Sequence, residues 1–263
     1  MTETLSLRAK IEQSQMGAYQ WMIVVMAAIM NLLDGFDVLA LAFTATAIRG
    51  EFGLTGIELG YLLSAGLFGM TAGSLFLAPL ADKIGRRPLL LMAVSLSAIG
   101  MLGSAFISQY QWLGFWRVIT GLGVGGILVG TNVITSEYSS RKWRSFAISV
   151  YAAGFGVGAV LGGMFAVMLQ GEYGWRSVFL AGAILTGLLL VVLFIWLPES
   201  IDFLTSKQPK NAEVRLNLIA KKIGLAGDWK LPEKMEKVKT KLPISQLFSE
   251  KYLHSTLLIW TAF

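Results

Sequence analysis

Asn31-Leu32-Leu33-Asp34-Gly35-Phe36-Asp37 carries the only two charges of an apolar run that extends over residues 20–48. A helix needs roughly 20 apolar residues to cross a hydrocarbon core about 30 Å thick, and this run is longer, with no proline or turn cluster to break it. The two carboxylates are therefore read as lying inside a membrane. Near the middle of a span each such charge costs about 2.5 to 3.5 kcal/mol on insertion scales, so a pair of them implies a partner charge, a water-filled path or proton carriage.

Outward from this stretch the chain repeats the pattern. Further apolar runs cover residues 59–80, 89–107, 112–136, 145–169 and 175–197, separated by short polar links. The expectation is an all-α membrane protein: a cytoplasmic N-terminal segment 1–19, then six transmembrane helices within 20–197 arranged as two three-helix repeats. Composition agrees, since 55% of residues are hydrophobic and 14% charged, where soluble domains carry about 25% charge. The absence of cysteine excludes disulfides, thiolate metal clusters and thiol nucleophiles. No metal-ligand cluster or nucleophile-base constellation is present either, so no cofactor and no enzymatic activity is expected. The first run is too long for a signal-peptide core and lacks a small-residue cleavage pattern, so it is read as retained.

Residues 198–254 are polar and lysine-rich, with an amphipathic patch at 214–223 and Pro232 and Pro243 as breakers. They read as a cytoplasmic central loop. Apolar residues resume at 255–263, as an interfacial tail or as the start of a truncated seventh helix.

Basic residues fix the orientation. With the N-terminus cytoplasmic, the inner side holds Arg8, Lys10, Lys83, Arg86, Arg87, Arg141, Lys142, Arg144 and eleven more between Lys207 and Lys251, while the outer side holds Arg49 and Arg176. This asymmetry accounts for the net charge of +6 without a nucleic-acid surface. Trp21, Trp112, Trp175 and Trp196 fall at expected span ends, where interfacial aromatics belong.

Arg117 is the one charge embedded in the fourth run. Counted from Trp21 and Trp112 at 1.5 Å per residue, Asp34 and Asp37 lie roughly 6 to 10 Å, and Arg117 about 8 Å, from the outer face. Residues three apart share a helix face, so both carboxylates can point at the guanidinium. Two close carboxylates in a dry site cannot both ionise cheaply, which makes the pair a proton-coupling candidate with Arg117 as counter-ion or anion contact. The alternative is a static ion pair beside a helix loosened by Gly35. Polar Asn31, Asn132 and Tyr151 are weaker candidates for lining a substrate cavity.

Gly121-Leu122-Gly123-Val124-Gly125-Gly126 matches a dinucleotide fingerprint, and residues 154–159 its variant, but both lie inside spans where no strand precedes them. Small residues four apart, Gly121/Gly125 and Gly154/Gly158 among them, instead let helices approach closely. At the inner face, Asp82 and Arg86 in one link and Glu137, Arg141 and Arg144 near another can pair across the links as a latch. Surface pairs are worth about 0 to 1 kcal/mol, so this requires partial burial.

With these motifs in view, the chain resembles the major facilitator superfamily, and within it the aromatic acid/proton symporters. Residues 78–87 resemble the loop motif between the second and third helices, although Ala78 stands where that motif begins with glycine. Arg117 with Gly121, Gly123, Gly125 and Gly126 resembles the fourth-helix motif. Asp34-Gly35-Phe36-Asp37, Ser136-Glu137-Tyr138, Gly174-Trp175-Arg176-Ser177-Val178-Phe179 and Leu197-Pro198-Glu199-Ser200 resemble the symporter branch. The resemblance implies proton-coupled uptake through Asp34 and Asp37, and conformational switching through Asp82, Gly85 and Arg86. It also implies that the chain is the N-terminal half of a twelve-helix fold, offering one wall of a site between two halves, with the C-terminal half as structural partner. The expected function is alternating-access symport of an aromatic or related organic acid with a proton, across the cell inner membrane. A carrier for another organic anion such as a muconate-like dicarboxylate, or a non-transporting six-helix fragment, are the alternatives.

Overall fold

The computed structural model describes residues 7–225, 227, 229–231 and 253, and no strand occurs among them. The expected seventh-helix start at 255–263, and most of the stretch beyond 231, lie outside the described residues. Among those described, six helices are long and apolar enough to cross a membrane: α2 (Ala18–Phe52), α3 (Gly56–Ile84), α4 (Arg86–Ala105), α5 (Tyr110–Tyr138), α6 (Arg144–Tyr173) and α7 (Trp175–Trp196). Each corresponds to one expected run, with ends that differ by a few residues. A short α1 (Leu7–Gln13) precedes them, and α8 (Ile201–Lys207) and α9 (Ala212–Ile223) follow.

Helix ends are set by local chemistry. The Thr55 hydroxyl accepts from the Glu58 N–H while the Glu58 carboxylate accepts from the Thr55 N–H at 2.8 Å, a reciprocal cap that starts α3. One residue, Gly85, separates α3 from α4 with φ +105°, a conformation other residues rarely adopt.

The contacts follow a two-fold pattern. The second helix of the first repeat, α3, packs on α5, the first of the second repeat; correspondingly α2 packs on α6, and the third helices α4 and α7 pack on each other. Exchanging the repeats leaves this pattern unchanged, as two three-helix repeats require. The α3–α5 and α2–α6 seams are those where small residues were expected. A Cβ on Gly69, Gly73, Gly121 or Gly125 would strike main-chain carbonyl oxygen of the facing helix, and so would one on Gly35, Gly154 or Gly158. The glycine runs of α5 and α6 are packing surfaces.

Burial divides the spans. The core windows of α2 and α5 are each 61% buried, against 17% for α3 and 22% for α6. Two apolar clusters fill the bundle, one around Phe36, Met101 and Phe179, the other around Met30, Val94 and Leu193. The second cluster continues into Leu7 and Ile11 of α1, Leu204 of α8, and Leu216 and Ile219 of α9. Described residues within 7–19 and 198–231 thus fold onto one end of the bundle.

Candidate functional site

Four consecutive residues of α2 meet four different surroundings. Asp34 is buried, and its Oδ2 has no partner. Gly35 sits where α2 crosses α6, with no room for a side chain against the Phe155 carbonyl. Phe36 fills the space beside Gly162 and Gly182. Asp37 accepts a 2.6 Å hydrogen bond at Oδ2 from the Ser97 hydroxyl of α4, while its Oδ1 is buried without a partner. The Asp-Gly-Phe-Asp order thus sets two buried carboxylates on either side of the two residues that pack the helix in place.

Arg117 of α5 enters from the other side. Its Nη1 donates to the main-chain carbonyl of Asp37 at 2.9 Å; its Nη2 donates to Met101 Sδ at 2.8 Å and to the Thr120 hydroxyl at 3.0 Å. The guanidinium carbon stands 5.0 Å from the Phe179 ring centre, a cation–π contact, and Nε has no partner. A narrow cleft of about 30 Å³, bounded in part by Asp37, Arg117, Thr120 and Met70, has room for about one or two waters.

The structure brings Asp37 and Arg117 together but changes the expected details. No ion pair joins Arg117 to either carboxylate among the described residues. The guanidinium takes the Asp37 carbonyl instead, and Asp34 points elsewhere, one helical turn away. From Asp37, α2 continues about 22 Å to Phe52, so the carboxylates lie near the middle of this long helix. Asn31 donates to the Tyr151 carbonyl at 2.8 Å and to the Ala152 carbonyl at 3.4 Å, tying α2 to α6, while its Oδ1 has no partner. Tyr151 is buried and Asn132 is exposed. Ser97, Met101 and Thr120 carried no sequence signal, being small polar or apolar residues within apolar runs, and Phe179 was legible only as the end of a motif.

A second polar group closes the end of the bundle where α2 begins. Glu137 does not pair with Arg141 or Arg144. Its Oε1 accepts from the Ser200 hydroxyl at 2.9 Å and its Oε2 from the Ile201 N–H at 2.8 Å. Glu199 Oε1 accepts from the N–H groups of Arg86, Arg87 and Ser200 at 2.8, 3.0 and 2.9 Å. These carboxylates satisfy the free N–H groups that open α4 and α8, as anions at helix N-termini do. Gly85 is doubly required, since a Cβ there would also press into the Glu199 carboxylate. Arg86 binds Asp82 of its own link at 2.6 Å, Arg144 binds Glu12 of α1 at 2.6 Å, and the Arg141 N–H donates to the Glu12 carbonyl at 2.9 Å. The Arg144 guanidinium holds the Glu12 carboxyl below the usual carboxylate range. The expected bridge between the two links is thus replaced by joints to Glu199, Ser200 and α1. Glu199 was legible only as part of a motif.

Comparison with known proteins matches residues 27–263 to the Major Facilitator Superfamily. The chain is 34% identical over 253 residues to the gallate transporter of Pseudomonas putida, covering 96% of this chain and 56% of that protein. It is 33% identical over 264 residues to the 4-hydroxybenzoate transporter PcaK of Pseudomonas putida, covering 99% of this chain and 59% of that one. The chain thus spans a little over half the length of these relatives. In fold it is similar to the proton:xylose symporter XylE bound to 6-bromo-6-deoxy-D-glucose, with a TM-score of 0.70 and 22% identity over 80% of this chain and 50% of that chain.

Proposed function

The chain belongs to the major facilitator superfamily, a family of multi-pass membrane transporters, and from that premise we propose that it forms one half of a proton-coupled carrier for aromatic or related organic acids. The names of its relatives support the substrate class. The observation that carries the coupling is the incomplete satisfaction of Asp34, Asp37 and Arg117 in the bundle centre: each has a buried polar atom with no partner.

The physics of co-occupancy follows. Asp37 as a carboxylate and Arg117 as a guanidinium are together neutral. An organic anion drawn to Arg117 would leave an uncompensated negative charge in a dry site, which is costly. A proton on Asp37 removes that charge, so anion and proton favour each other's presence. Ser97 holds Asp37 by one oxygen and leaves the other to take the proton. Asp34 is the second carrier of the pair, and Asn31, Asn132 and Tyr151 remain candidates for the cavity wall.

The substrate would lie between this unit and a second six-helix unit, and the large exposed apolar residues of α3 and α6 supply contact surface for it. We place the N-terminus in the cytoplasm of a cell whose inner membrane holds the carrier, on the distribution of basic residues. The joints built from Asp82, Gly85, Arg86, Glu137, Arg141 and Arg144 are the proposed inner switch, released when the two units rock.

Uptake of labelled 4-hydroxybenzoate, gallate and a muconate-type dicarboxylate by cells producing the full carrier tests the reading. Accumulation of the aromatic acids that collapses when the proton gradient is dissipated is the expected result. Preferential uptake of the dicarboxylate would transfer the substrate assignment, and uptake insensitive to the gradient would refute coupling.

A further inference from the structure

At the end of the bundle where α2 starts, α7 finishes, and α4 and α9 meet them lies a cleft of about 240 Å³. Three cations line it, Arg87, Arg215 and Lys222, together with Tyr19, Trp196 and a single carboxylate, Glu199. None of the three cations pairs with a carboxylate among the described residues. Arg87 Nη2 donates to the Phe194 carbonyl at 2.7 Å and its Nε is unpartnered, while Lys222 Nζ stands 5.3 Å from the Tyr19 ring centre. Glu199 is occupied elsewhere, its Oε1 accepting three main-chain N–H groups. The cleft therefore offers two more positive charges than negative ones.

Its surroundings say what kind of anion fits. Trp196 ends a membrane-spanning helix and is 51% exposed, the interfacial level at which lipid headgroups lie. Below it, Ile184, Leu188, Val191 and Ile195 form one stripe of α7, each more than half exposed. The stripe is about 16 Å long, close to half a hydrocarbon core, and its last residue, Ile195, lines the cleft. A basic pocket at the interface, continuous with an apolar track running into the membrane, matches a headgroup joined to an acyl chain.

We infer that this cleft binds the phosphodiester headgroup of an anionic phospholipid, with an acyl chain along the exposed stripe of α7. Bound there, the lipid bridges α4 and α9 and fastens α9 to the transmembrane bundle. The site is separate from Asp37 and Arg117 and does not depend on what the carrier transports.

The chain, purified in nonionic detergent and mixed with equal amounts of phosphatidylglycerol and phosphatidylcholine, tests this by native mass spectrometry. Retention of phosphatidylglycerol over phosphatidylcholine by about tenfold is expected, since each basic group near a membrane surface contributes appreciably to anionic lipid binding. Arg215→Gln with Lys222→Gln should bring the ratio close to parity, whereas Lys210→Gln with Lys221→Gln, removing the same charge from outside the cleft, should preserve it. Millimolar inorganic phosphate should displace neither lipid. Equal retention by the unaltered chain, equal loss in both double variants, or displacement by inorganic phosphate would each overturn the assignment, the last by giving the cleft to a soluble anion. The lipid ratio and the phosphate competition use the unaltered chain, so they decide the matter even if a variant fails to fold.

Discussion

Among the described residues, the buried carboxylates at the α2 end of the bundle and those at its centre are built in opposite ways. At the α2 end, Glu137 and Glu199 accept hydrogen bonds from helix-opening N–H groups and a serine hydroxyl. In the centre, Asp34 and Asp37 keep unpartnered oxygens, and Arg117 binds a carbonyl, a thioether and a hydroxyl in place of a carboxylate. A buried carboxylate with its hydrogen bonds made is a joint. One held by half its capacity stores an unfavourable charge that a proton or an anion can relieve. On the proposed function, the satisfied group fastens helix ends that the transport cycle releases and the half-satisfied group carries the proton, so substitutions should separate fastening from coupling.

The largest effect is expected at the centre. Asp37→Asn should abolish gradient-driven accumulation, a fall of at least about 100-fold, while thermal unfolding of the purified protein stays the same or rises, because an incompletely satisfied buried charge is removed. Loss of stability equal to the loss of transport would make Asp37 a structural residue and erase the distinction. Next is Glu199→Ala, which leaves three N–H groups unpaired and should cost about 2 to 3 kcal/mol in chemical denaturation. An unchanged midpoint would show that this joint is not load-sharing. Gly35→Ala drives a methyl into the Phe155 carbonyl and should destabilise by about 1 to 3 kcal/mol, separating α2 from α6. Full stability there would mean that the seam adapts.

Legibility in the sequence followed the same division. The six spans could be read because burial in a membrane demands long apolar runs, and the glycine seams because close helix approach demands small residues at a fixed spacing. Arg117 beside Asp37 was legible from charge alone, being the one cation embedded within a run. The hydrogen-bond partners were not. Ser97 is one serine among apolar neighbours, and its 2.6 Å bond to Asp37 depends on how α4 is rotated, which no periodicity in α2 encodes. Glu137, with Arg141 and Arg144, was expected to pair across the links with Asp82 and Arg86, because both groups fall at the same end of their spans. The end of α5 instead directs it to the start of α8, where N–H groups lack partners, and Arg144 turns to Glu12.

The smallest expected effect sits at that last contact. The folded carboxyl of Glu12 is held below its ordinary 4.5, so the Arg144 link contributes fully above about pH 4.5 and is lost as pH falls through the lowered value. Both side chains are partly exposed, so Glu12→Gln should lower the melting temperature only slightly at pH 7, and the difference from the unaltered chain should shrink as pH falls below 4.5 in thermal melts. A large penalty at neutral pH would show the joint to be far better shielded than its exposure indicates.

The central claim is that the half-satisfied carboxylate takes up a proton when an organic anion arrives at Arg117. Addition of 4-hydroxybenzoate to the full carrier in weakly buffered detergent solution, with the change in pH recorded, measures this directly. About one proton absorbed per acid bound, and none after Asp37→Asn, is the outcome the charge balance predicts. Binding of the acid with no proton uptake, or with the same uptake after the substitution, would contradict it.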